Sequence, residues 1–96
     1  MSRETKLTPL YLKTLSQKFD LETIFILNAK ERNIQGGIDS LKDCSNLLNC
    51  DLSLNRITMI SGIDQLQNLK ILNISYNRLT NIEIIKGCRA LEKVFA

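Results

Sequence analysis

The residues of this 96-residue chain most able to do chemistry are three cysteines, Cys44, Cys50 and Cys88, which could act as nucleophiles, redox partners or soft metal ligands. Their spacing argues against each role. No two form a C-x-x-C pair, their number is odd, and the chain has no His to complete a metal site or serve as general base. Asn73-Ile74-Ser75 matches the N-glycosylation acceptor pattern, and Gly36-Gly37, Gly62 and Gly87 are turn residues, since none follows a strand in phosphate-loop spacing. No catalytic residue, cofactor, metal or small-molecule substrate is therefore expected.

What must position any functional residue is a strongly biased scaffold. Sixteen Leu, twelve Ile and nine Asn stand beside one Val and no Trp, a bias that calls for a search for internal repeats. Leu69, Leu72, Ile74, Asn77, Leu79, Ile82, Ile85 and Cys88 match Leu47, Cys50, Leu52, Asn55, Ile57, Ile60, Ile63 and Leu66 twenty-two residues earlier. An earlier unit, with Ile24, Leu27, Ala29, Ile34, Ile38, Leu41 and Cys44, carries one extra residue at Gly36-Gly37 and has Arg32 in place of the Asn. All three cysteines fall on apolar positions of this pattern and are expected in the core. Asn55 and Asn77 are expected to turn inward and bond the backbone of neighbouring turns. Each unit should supply a short strand (26–28, 49–51, 71–73 and 93–95), a turn and a helical or 3₁₀ return segment. Ahead of them, Thr8-Pro9 reads as an N-cap and first helical residue, with Leu12, Leu15 and Phe19 on the apolar face of a helix.

The pattern L-x-x-L-x-L-x-x-N-x-L resembles the leucine-rich repeats, in the twenty-two-residue form typified by small phosphatase-regulatory and axonemal dynein light-chain repeat proteins. The residues Ile71-Leu72-Asn73-Ile74-Ser75-Tyr76-Asn77-Arg78-Leu79-Thr80 carry the likeness most clearly. It implies an α/β fold: a right-handed solenoid with a curved parallel sheet on its concave face and helical or 3₁₀ segments on the convex one. The expected organisation is an amphipathic cap helix in 1–19 and repeats in 20–96, at about 24–46, 47–68 and 69–90, with a partial unit at 91–96. That last unit starts at Leu91 and stops within its strand, so the array is expected to be C-terminally incomplete.

Strand side chains alternate between faces, so the residues between the inward leucines can be assigned to the outer surface. One column reads Ile26, Asn49, Ile71, Lys93; the next Asn28, Asp51, Asn73, Phe95; a third Lys30, Ser53, Ser75. Glu31, Leu54 and Tyr76 follow, then Asn33, Arg56 and Arg78. Asp51 is the only acid on the strands of this face, which leaves no carboxylate pair for acid–base catalysis. Interfaces favour aromatic and Arg anchors, so Asn49, Asp51, Ile71, Asn73, Tyr76, Arg56 and Arg78 are the candidate partner-binding residues.

Residues 1–18 hold Arg3, Lys6, Lys13 and Lys18 against Glu4, whereas the rest of the chain balances nine basic with nine acidic residues. Read linearly, the net charge of +3 is N-terminal, and a solvated cap is the expected outcome. No apolar run long enough for a signal sequence or a membrane span occurs, so an intracellular, cytoplasmic protein is expected, with cilium or nucleus as alternatives. Its expected role is a non-enzymatic scaffold for a protein partner. Two alternatives are a ribonucleoprotein adaptor, disfavoured by the neutral repeat region, and an axonemal or phosphatase-associated scaffold.

Overall fold

A computed structural model describes residues 5–96; residues 1–4 of the expected cap segment lie outside them. Helix α1 (Pro9–Ser16) begins where Thr8 accepts the N–H of Tyr11 on its hydroxyl at 3.1 Å, with Pro at the first turn where no N–H is needed. It ends earlier than expected. Gln17 turns left-handed at φ 60°, so only Leu12 is buried from α1, and Phe19 leaves the helix face to stand 87% exposed.

Strands β1 (Ile26–Asn28), β3 (Asn49–Asp51), β5 (Ile71–Asn73) and β6 (Lys93–Phe95) form a four-stranded parallel sheet in the order β1-β3-β5-β6. Their register aligns Ile26 with Asn49, Ile71 and Lys93, and Asn28 with Asp51, Asn73 and Phe95. The two expected columns are thus neighbours in space. Two further strands not expected from the sequence, β2 (Gln35–Gly36) and β4 (Arg56–Ile57), pair in parallel beside the main sheet. Thr5 bridges to Ile34 at the outer side of β2, donating to Asn33 at 3.2 Å and accepting from Gln35 at 2.9 Å.

The return segments are 3₁₀ turns, and the apolar spacing explains why. Ile38, Leu41, Cys44 and Leu47 recur every third residue, and each N–H from Leu41 onward donates to the carbonyl three residues back, at 2.8–3.0 Å. Ile60, Ile63, Leu66 and Leu69 repeat the arrangement, as do Ile82, Ile85, Cys88 and Leu91. Three residues per turn stack side chains i and i+3 along one edge, so an apolar residue at every third position becomes a continuous ridge, buried in the first two segments and partly exposed at Ile82 in the third. That ridge packs under the inward strand residues Leu27, Cys50 and Leu72, all at most 2% exposed. At the far end of the sheet the core thins, and Val94 is 38% exposed.

Asn55 ties neighbouring turns together. Its Oδ1 accepts the N–H groups of Arg32 and Ile34, each at 3.0 Å, while its Nδ2 donates to the carbonyls of Ala29, Leu52 and Ser53. Asn77 does the same more sparsely, accepting from Ile57 at 3.0 Å and donating to Leu52, Ile74 and Ser75. Arg32, in the matching place of the first unit, takes no such role with its side chain, and its backbone is served by Asn55.

Candidate partner-binding face

The outward strand residues become a surface through side-chain bonds that hold the strand exits in shape. Asp51 accepts the N–H and hydroxyl of Ser53 on one oxygen, at 2.9 and 2.6 Å. Asn73 accepts both groups of Ser75 in the same way, at 3.1 and 2.6 Å, and Asn28 accepts the N–H of Lys30 at 3.2 Å. These are Asx turns, in which a short side chain satisfies backbone two residues on. Asp51 and Asn73, both half-buried, thus spend one oxygen internally and can offer a partner the second carboxylate oxygen and the Nδ2 group. The two polar side chains of the glycosylation pattern are bonded to each other. Ser53, expected on the outer surface, is only 3% exposed. Ser75 makes the same bond and is half-buried; Ser53 differs in lying between two neighbouring segments, its carbonyl taking the Glu31 N–H while the Leu54 N–H beside it donates to Ser75.

Beyond the strand exits, Glu31, Leu54 and Tyr76 occupy matching places and share a left-handed backbone, at φ 55°, 58° and 58°. The stack enforces it: Glu31 N–H donates to Ser53 and Leu54 N–H to Ser75, both at 3.0 Å. A bulky residue here costs about 1–2 kcal/mol relative to Gly, so the backbone disfavours Leu and Tyr at these places. Tyr76 is 78% exposed. It lines a shallow cleft of ≈ 390 Å³ together with Glu31, Asn33, Leu54, Asn55 and Arg56.

Of the seven candidate residues, Asn49 and Ile71 are paired neighbours, as are Asp51 and Asn73, and Tyr76 shares its cleft with Arg56. Arg78 is exposed but does not line that cleft. Sequence reasoning left out an apolar group at the strand entrances: Ile26, 71% exposed, beside Phe25 and Leu48. Leu48 N–H donates to Phe25 at 2.8 Å, which sets these two side by side. The signal was present in Phe25-Ile26, two large apolar residues at and just before an outward strand position.

The three cysteines are free and buried. Burial pushes the Cys44 thiol up to about 11, with Asp43 adding a smaller effect, and raises Cys50 and Cys88 for the same chief reason. Thiols held protonated are poor nucleophiles and ligands. Among the described residues no three His, Cys, Asp or Glu side chains stand close enough to hold a metal ion, and no helix is long and apolar enough to cross a membrane. What fold and face together define is a mixed α/β chain with a four-stranded parallel sheet and two exposed apolar groups on the outer side of its strands. No protein-family model matches this chain, and neither a curated protein nor a solved structure does.

Proposed function

We propose that the chain is a leucine-rich-repeat solenoid acting as a non-enzymatic adaptor, which binds a protein partner on the concave outer face of its parallel sheet. The observation that carries this reading is the placement of Tyr76 and Leu54: large apolar side chains held outward on a backbone that disfavours them, beside exposed Arg56. Residues kept at a conformational cost mark functional surfaces. Ile71 and Asn49, with the remaining polar atoms of Asp51 and Asn73, extend the contact across the strands, and Arg78 flanks it. Buried, protonated cysteines suit a reducing, intracellular compartment.

Crosslinking the chain in cell extract and comparing captured proteins with those of a Tyr76→Asn, Ile71→Asp double variant tests the reading. Loss of specific partners from the variant is expected. Equal capture of every partner by both proteins would remove the face.

A further inference from the structure

We infer that the partner segment engaging the Tyr76 cleft is an acidic peptide carrying a large apolar side chain beside its carboxylates. The inference rests on the proposed reading of the outer face and adds the chemistry of its partner.

Charge distribution in space, rather than along the chain, carries it. The bridge from Thr5 to Ile34 brings Lys6 against β2, where its Nζ lies 3.5 Å from the point that a Cβ on Gly36 would occupy. Gly36 pairs with Ile57, beside Arg56, and the Arg78 N–H donates to the Ile57 carbonyl at 3.0 Å. The Arg32 N–H donates to the Asn55 side chain, one residue before Arg56. Lys30 stands at the exit of β1, its N–H bonded to Asn28. Among the described residues, five exposed cations therefore stand on the segments at the strand exits, against Glu31 and Asp51. That excess of three equals the net charge of +3 of the whole chain, and the other eight basic and eight acidic residues cancel.

Of these cations Arg56 lines the cleft walled by Leu54 and Tyr76, as does Glu31. Apolar walls take an apolar side chain, and the Arg56 guanidinium beside them takes a carboxylate through charge-assisted hydrogen bonds. A peptide supplies both within a few residues. Single-stranded nucleic acid is the less suitable occupant, because it needs successive aromatic platforms, and Tyr76 is the one aromatic residue lining this cleft.

The test is selection of short random peptides on the intact chain, followed by fluorescence anisotropy of the enriched peptides and of oligouridine at low and moderate salt. Expected are peptides rich in Asp and Glu around a Leu, Phe or Trp, whose binding weakens with salt and drops about tenfold or more on Arg56→Glu, Arg78→Glu. Circular dichroism confirms that this variant folds; Arg56→Ala, Arg78→Ala gives the same comparison without reversed charge. Enriched peptides without acidic bias that are lost on Tyr76→Asn would overturn the inference and leave the face intact. Peptides indifferent to every substitution on the face would sink both. Salt-sensitive binding of oligouridine with no acidic peptide enriched would overturn the inference in favour of nucleic acid, and enrichment of nothing at all would overturn it outright.

Discussion

The N–H of Ile34 donates to the side-chain Oδ1 of Asn55 at 3.0 Å, joining two buried residues twenty-one positions apart. The same oxygen takes the N–H of Arg32, so one amide closes the turns of two successive strand units. Removing it with Asn55→Ala strands several buried backbone groups, each costing about 1–3 kcal/mol when left unpaired. The expected loss is of the order of 3 kcal/mol or more. Asn77, half-buried and accepting only the Ile57 N–H, should cost distinctly less. Urea unfolding of both variants checks the order, and an equal or reversed ranking would refute this account of the ladder.

Tyr76→Asn separates stability from binding. Asn tolerates the left-handed backbone that Tyr resists, and little burial is lost from a side chain that is 78% exposed. Unfolding free energy should be unchanged or rise by up to about 1 kcal/mol, while partner binding falls. A clear destabilisation would mean that Tyr76 is held for packing instead.

Two glycines give opposite expectations. A Cβ on Gly87 would meet the Cβ of Asp64 at 2.8 Å, too close to the backbone for the side chain to swing away, whereas a Cβ on Gly37 meets nothing within 4 Å. Gly87→Ala should cost about 1–3 kcal/mol through forced displacement of the neighbouring 3₁₀ turn. Gly37→Ala should be neutral or stabilise by less than about 1 kcal/mol, by restricting the unfolded chain. Melting temperatures of the two variants decide it.

The cysteines predict an alkaline limit. The folded Cys44 thiol keeps its proton up to about 11, against 9.0 for the ordinary thiol. Its contribution is complete below that ordinary value and is lost as pH rises through the folded one, because the unfolded chain then binds fewer protons. Stability should therefore decline between about pH 9 and 11, and Cys44→Ala should flatten the decline. Parallel curves for the two proteins would exclude the thiol as its cause.

Much of the scaffold was legible in the residues alone. Apolar side chains at every third place mark the return segments, as helical or 3₁₀ alike, and alternation in strands assigns Ile26, Asn49, Ile71 and Lys93 to one outward column; both depend only on local geometry and on which side must be buried. The inward turn of Asn55 and Asn77 follows from the need of turn backbone for partners. All these readings involve groups whose neighbours lie in the same or the adjacent unit.

The candidate face was less legible. Ser53 was assigned outward by alternation, but it lies between two neighbouring segments, its carbonyl taking the Glu31 N–H. Phe19 was placed on a helix that stops three residues before it. The linear count put the excess charge at the N-terminus, yet the bridge of Thr5 to Ile34 carries Lys6 out of that segment and against Gly36 of β2. Spacing determined what is buried, because burial repeats with the period of the backbone. Only the tertiary structure decided which charges meet, because a charge acts through space on neighbours that the chain order does not reveal.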